Sequence, residues 1–431
     1  MLTASPKPFF GYSDNTNLHR FLWNLGLVSH LGGSIMVQFG WPVAMTACRW
    51  TCRWSTPRGK LMTSAIPVID LRAATAGDTS HLGAVRAATE ELGAIQVINH
   101  GVPQDLISDL NARSARLFSL PQAEKAKLAS PHPYRGWRQW PDDFGRLELE
   151  RFNVSQFDDI GAARAAGLGE DYLGLYAHAN MWPADDPGLR EAAFGYLEAS
   201  RKLAKRMLWL FGRAEGLRED TFGLGSLPHL QLTVNNYPAW TQPEAAPNEG
   251  GTAEGDAAEA GTAEAGTAEA GPAEAGTAED KLLLVEHTDD SVVTILSQEG
   301  DYDGLQIQEP GGRWITVPVI PGALTLFTGS LLTRWTGGRM RAGRQRVVAG
   351  GTEPRRSTAV FVYPALEATV GSLAPFAPFA ADCHGEPILV WDHVKDRLAG
   401  YLAEYGRPEQ IAAWREGEPQ VGELAETSAG L

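Results

Sequence analysis

The stretch KLLLVEHTDDSVVTILSQ, residues 281–298, decides the fold. Two apolar, β-branched runs flank a polar turn. Similar runs follow at GLQIQE (304–309), RWITVPVI (313–320), ALTLFTG (323–329), QRVVAG (345–350) and STAVFVYP (357–364). Such runs, punctuated by Gly and Pro, predict strands. Their density over this stretch predicts a sandwich or jelly roll. Within the first run stands His287-Thr288-Asp289. Residues i and i+2 of a strand share a face, so an imidazole and a carboxylate aim at one point. That pair suits two of the facial ligands of a non-haem Fe(II) centre, with positions left open. A lone H-x-D triplet equally fits a solvent-facing strand end, so its surroundings decide.

Upstream, IPVIDL (66–71) reads as a short strand and His81–Leu92 as a helix. AIQVINHGVP (94–103) reads as a buried strand ending in a turn, and residues 104–128 have helical spacing. Residues 187–215 predict a long amphipathic helix with Leu203, Met207, Leu210 and Phe211 on one face. Residues 387–405 predict a closing helix. The stretch 132–160 is rich in Trp and acidic residues, among them Trp137, Trp140, Asp142 and Asp143. Phe327, Phe361 and Tyr363 fit either an apolar pocket or ordinary core.

The chain has 431 residues, 43% of them hydrophobic, and a formal charge of -15. Ten acidic residues and no Lys or Arg lie between Glu244 and Asp280, so much of that charge sits in one segment. A net negative chain argues against nucleic acid as a partner. Three cysteines, Cys48, Cys52 and Cys383, make no disulfide framework. No apolar run is long enough to span a membrane, and no signal-peptide order is present. A cytoplasmic monomer is expected. The five-residue repeat GTAEA within residues 241–280 has nothing to bury and predicts a disordered surface insertion.

In order along the chain stand NHGVP (99–103), NMWP (180–183), LTVNNYP (232–238), HTDDSVVTIL, GLQIQEPGGRWITVPVIPGALTLFTG, QRV and RRSTAVFVYP. Over residues 64–405, apart from the acidic insertion, the chain resembles the isopenicillin N synthase-like, 2-oxoglutarate Fe(II)-dependent dioxygenase superfamily. The resemblance implies mainly β structure with α: a double-stranded β-helix, or jelly roll, with a helical N-terminal lobe. It also implies an oxidoreductase that uses Fe(II), 2-oxoglutarate and O2 to oxidise a C–H bond of a small-molecule substrate by hydroxylation, desaturation or cyclisation. His287 and Asp289 match two metal ligands. Arg355 and Ser357 match an R-x-S pair that holds the distal carboxylate of 2-oxoglutarate, a fit of guanidinium fork to carboxylate. Asn235 and Tyr237 match an N-x-Y motif lining the cosubstrate pocket. Some isopenicillin-N-synthase-like members need no 2-oxoglutarate, and this alternative stays open.

One departure matters. Where the family has a second metal-ligating His, this chain has Gln345. Its neighbours Arg346-Val347 keep the strand pattern, and Arg355 follows at the family's spacing. An amide oxygen can coordinate a hard cation, less well than imidazole coordinates Fe(II). Weak ligation by Gln345, water in its place, and loss of catalysis are three open alternatives.

Residues 7–42 resemble an internal piece of the LD-carboxypeptidase and microcin-resistance peptidase family, whose nucleophilic serine would be Ser13. No base partner is evident, and a serine without one is a poor nucleophile. The expected organisation is therefore a remnant or overextended start at 1–61, with Met62 as the natural first residue. An N-terminal lobe with the first jelly-roll strands follows at 62–240, then the insertion at 241–280. The metal and 2-oxoglutarate core with its closing helix spans 281–405, and a tail spans 406–431.

Overall fold

The computed structural model describes residues 66–405 except 142–146, 219, 240–281, 301 and 377–385. Ser13, the three cysteines, Asp142, Asp143, the GTAEA repeat and the tail lie outside the described residues.

Strands form where β-branched runs alternate: β1 (Val68–Asp70), β2 (Ala94–Ile98), β3 (Gly136–Pro141), β4 (Leu147–Ser155), β5 (Pro228–Tyr237) and β6 (Leu282–Thr288). They continue with β7 (Val293–Glu299), β8 (Leu305–Gln308), β9 (Trp314–Thr316), β10 (Leu324–Thr328), β11 (Arg344–Val348) and β12 (Arg355–Ala365). The longer helices are α1 (Leu82–Glu91), α2 (Gln104–Ser119), α3 (Pro187–Ala214) and α4 (Val390–Tyr405). The helical spacing over 104–128 is cut at Leu120, whose ψ of 149° is extended. Pro121 forces this, because its ring crowds a helical residue before it. A separate short helix, Gln122–Ala126, resumes beyond it.

β1-β2-β10-β7-β12-β5-β4-β3 make one large sheet, and β6-β11-β8-β9 make a smaller one. All pairings within these two sheets are antiparallel except β1 with β2. This is the jelly roll expected. The N-terminal part does more than add helices: β1 and β2 extend the large sheet at one edge, β3 and β4 at the other. The hairpin β3–β4 was hidden in sequence by its charged residues. Several of these are buried with partners, as in the Lys125–Glu150 pair at 2.5 Å.

The two faces of the large sheet differ. On β12, Val360 and Val362 point outward into a core shared with Leu203, Met207, Leu210 and Phe211 of α3. Burial of that stripe is what fixes the helix on the sheet. Strand alternation turns Arg355, Ser357, Ala359, Phe361 and Tyr363 the other way. Ala359 joins a second core with Leu296, Phe327, Ile307 and Val347 inside the roll. Phe327 is core, and Phe361 is half-buried. The smaller sheet is held close at Gly93 and Gly343, where a side chain on either residue would strike the other's backbone. Gly93 also has φ +71°, a conformation glycine tolerates best. This contact lies two residues from Gln345.

Candidate functional site

The antiparallel pairing of β11 with β6 sets Gln345 opposite His287. The two residues are thus neighbours across the smaller sheet. His287 Nδ1 lies 2.8 Å from the Val285 carbonyl oxygen. A carbonyl can only accept, so Nδ1 carries a hydrogen, and in the neutral tautomer Nε2 bears the lone pair. Nε2 stands 3.8 Å from Asp289 Oδ1. Gln345 Nε2 donates to Asp289 Oδ2 at 3.0 Å. Asp289 and Gln345 are buried, while His287 is about one-third exposed. Burial pushes the Asp289 carboxyl above its usual range, against the pull of His287 and of hydrogen bonds from Thr294 and Gln345.

An imidazole lone pair beside a buried carboxylate fits a divalent cation, and the backbone hydrogen bond on Nδ1 is the orientation a ligating histidine needs. The third position holds an amide. No group of three or more His, Cys, Asp and Glu suited to a metal occurs among the described residues.

The turn after Asp289 is clamped. Tyr363 donates to Asp290 Oδ1 at 3.0 Å, and His393 Nε2 donates to the Asp290 carbonyl at 2.9 Å. Arg397 Nε lies 3.4 Å from Asp290 Oδ2. His393 and Arg397 belong to α4, so the closing helix fixes the backbone next to Asp289. The sequence held no sign of this role.

Arg355 and Ser357 sit on the inner face of β12, paired with Tyr237 and Asn235 of β5. Asn235 Nδ2 donates to Ser357 Oγ at 3.3 Å, and Arg151 Nε donates to Asn235 Oδ1 at 2.8 Å. The Arg355 guanidinium lies over the Tyr237 ring at 5.2 Å, a cation–π contact. It is 1% exposed, and of its nitrogens Nη2 has a partner, Gln298 Oε1 at 2.8 Å. Nε and Nη1 are buried without one among the described residues. Buried polar groups are nearly always satisfied, so two idle guanidinium donors beside a hydroxyl fit an incoming carboxylate. The donor set thus suits the distal carboxylate of 2-oxoglutarate. Gly300 makes room, since a Cβ there would lie 3.3 Å from Arg355 Cγ. Gln298, Arg151 and Gly300 were not singled out in the sequence.

Two motifs are structural instead. In NHGVP, Asn99 donates to Asp70 at 2.7 Å, and His100 bridges Val102 N and the Gly322 carbonyl. In NMWP, Asn180 exchanges both backbone hydrogen bonds with Ser155 at 2.9 Å.

Residues 66–184 match the family model described as the N-terminal region of the non-haem dioxygenase in morphine synthesis, and residues 230–364 match that of the 2OG-Fe(II) oxygenase superfamily. A validamycin A dioxygenase from Streptomyces hygroscopicus subsp. limoneus is 26% identical over 321 residues, covering 70% of this chain and 77% of that one. Feruloyl CoA ortho-hydroxylase 2 of Arabidopsis thaliana is 27% identical over 343 residues, covering 77% and 78%. Among solved structures, a full-length Neurospora crassa protein in complex with alpha-KG and 5-formyluracil aligns with a TM-score of 0.58 at 20% identity. That alignment covers 78% of this chain and 96% of that one, a likeness of fold. The resemblance of residues 7–42 to a peptidase finds no support in these comparisons.

Proposed function

The chain belongs to the 2OG-Fe(II) oxygenase superfamily, and from that premise we propose how its residues divide the work of a 2-oxoglutarate-dependent dioxygenase acting on a small molecule. Fe(II) and 2-oxoglutarate are its cofactor and cosubstrate, and O2 is the oxidant. When bound, the iron supplies oxidation of an unactivated C–H bond at the expense of O2 and 2-oxoglutarate. His287 and Asp289 hold the metal, His287 through Nε2. Gln345 steadies the Asp289 carboxylate through its amide N–H and leaves its amide oxygen as a donor to the cation. Arg355 and Ser357 grip the distal carboxylate of 2-oxoglutarate, with Tyr237 behind the guanidinium and Asn235 behind the hydroxyl. Tyr363, His393 and Arg397 hold the backbone beside Asp289.

The idle Nε and Nη1 of Arg355 carry this reading, because a buried cation with free donors calls for an anion. The requirement for 2-oxoglutarate follows, and turnover of 2-oxoglutarate to succinate tests it directly. Anaerobic titration of the Fe(II) protein with 2-oxoglutarate should develop the metal-to-ligand charge-transfer band. Absence of both the band and succinate would refute the assignment. We further propose that the chain acts as a monomer in the cytoplasm. No helix among the described residues is long and apolar enough to cross a membrane.

A further inference from the structure

A second buried arginine lies on the same inner face, outside the site described above. Arg135 is 1% exposed. A guanidinium has five N–H donors. Arg135 uses Nη1 on the Tyr134 carbonyl (2.8 Å) and, weakly, on Gln231 Oε1 (3.4 Å), and Nη2 on the Leu175 carbonyl (2.8 Å). Its Nε has no partner among the described residues. No acidic side chain among them acts on it; burial alone pushes the guanidinium down to about 10, against the influence of Tyr176.

Beside it, His132 is 1% exposed, and its Nδ1 accepts from Tyr134 N at 3.1 Å. The neutral ring therefore carries its hydrogen on Nε2, which is buried and has no acceptor among the described residues. His178, half-buried, stands with its ring 6.0 Å from that of His132, and its Nε2 is likewise unpartnered. Burial and the charge of Arg135 hold His132, His178 and His229 below the usual histidine range. The group therefore has one fixed positive charge and idle N–H donors that no described residue answers.

The backbone holds Arg135 in place. Gly136 has φ +64°, and a Cβ there would collide with the Leu128 carbonyl. The group is also continuous with the catalytic face. Gln231 shares that face of β5 with Thr233 and Asn235, and four residues at ~3.3 Å each put it about 13 Å from Asn235. His229, paired with Tyr363, receives the Tyr176 hydroxyl contact at 3.1 Å. Tyr363 in turn holds Asp290, next to Asp289. Phe361 and Tyr134 are half-buried, and Tyr134 acts electrostatically on Tyr363 and Arg397.

We propose that Arg135 and His132 form an oxyanion-binding subsite that takes a carboxylate of the oxidised substrate, so that the substrate is a small organic acid anchored there with its reactive C–H toward His287 and Asp289. This rests on the dioxygenase reading for which bond reacts, though not for the binding itself. A carboxylate accepts two N–H bonds at once and neutralises the guanidinium. The half-buried rings of Tyr134 and Phe361 suit an apolar or aromatic body.

The test uses the full chain with Fe(II) and saturating 2-oxoglutarate under anaerobic conditions, so that Arg355 is occupied. Phenylacetate and its neutral twin phenylacetamide are titrated calorimetrically, with acetate and acetamide as the free-anion pair. Phenylacetate should bind at least about tenfold more tightly than phenylacetamide. Arg135→Gln should erase that preference, and Arg135→Lys should retain part of it. No preference for either carboxylate over its amide in the wild type overturns the subsite, without recourse to any variant. A preference for acetate alone reveals a site for a free anion and overturns the substrate assignment. A preference that survives Arg135→Gln in a protein with native circular dichroism places the anion elsewhere and also overturns it. Separately, failure of 2-oxoglutarate to bind while phenylacetate binds would break the dioxygenase reading and leave the subsite standing.

Discussion

Arg355 and Arg135 are the same residue in nearly the same state: each is 1% exposed, each has an idle Nε, and neither has an acidic partner among the described residues. They differ in what holds them. Arg355 opens a strand that is paired on both sides, and is backed by Tyr237 and Gln298. Arg135 lies on a turn, its guanidinium tied to carbonyls at Tyr134 and Leu175. A strand arginine two residues from a serine can be recognised along the chain. A turn arginine becomes conspicuous only when its neighbours are assembled and none among the described residues proves to be an acid. The lesson is that an unanswered buried charge is a better pointer to a ligand than the motif around it.

The largest expected effect separates the two. Arg355→Gln should weaken 2-oxoglutarate binding by about 100-fold, since a bidentate charge-assisted contact is lost. Arg135→Gln should leave that affinity within about twofold. Anaerobic titration of the charge-transfer band measures both, and similar losses in the two variants would collapse the distinction.

Next, the carboxylate-over-amide preference for phenylacetate should fall about tenfold in Arg135→Gln and persist in Arg355→Gln at saturating 2-oxoglutarate. Isothermal titration of the four protein–probe pairs gives the double dissociation. Loss in both variants would mean that the probe occupies the 2-oxoglutarate pocket.

The histidines around Arg135 have no counterpart near Arg355 among the described residues and give that region its own acid response. His229 is pushed down to about 3 by burial first and by Arg135 second. Its stabilising contribution is complete above the unfolded value of about 6.5. It is lost as pH falls from there toward 3, because the unfolded chain takes up the proton first. Stability should therefore drop by about 1 kcal/mol from this residue alone between pH 7 and pH 5.5. His132, shifted the same way, adds to it. Urea unfolding at the two pH values measures the change, and His229→Gln should flatten it. An unaltered slope in that variant would show that His229 is not held neutral.

The smallest effect concerns the metal. Gln345→His restores a nitrogen donor opposite His287 and should tighten anaerobic Fe(II) binding by roughly fivefold. Equal affinity in wild type and variant would show that the side chain at 345 does not reach the cation.

Much of this was legible in the chain itself. Period-two runs fixed the strands and therefore the roll, since each run buries one face. The i, i+2 spacing predicts a shared aim for His287 and Asp289, and the two stand 3.8 Å apart although β6 ends at Thr288. The pattern through Arg346 and Val347 aligned Gln345 with the family's second metal His, but its pairing with His287 across an irregular stretch of β11 came from the folded chain. The Leu120 break was also written locally, in Pro121, though periodicity masked it.

Tertiary structure alone decided the rest. It brought Arg135 to Gln231, 96 residues away, and to Leu175, 40 away. It set α4 on Asp290, 103 residues from His393. It turned the amide of Gln345 onto Asp289. Sequence pattern encodes which face a side chain takes, because that depends on its near neighbours. Whether a buried polar atom finds a partner depends on every segment that packs around it, and that sum exists only in the folded chain.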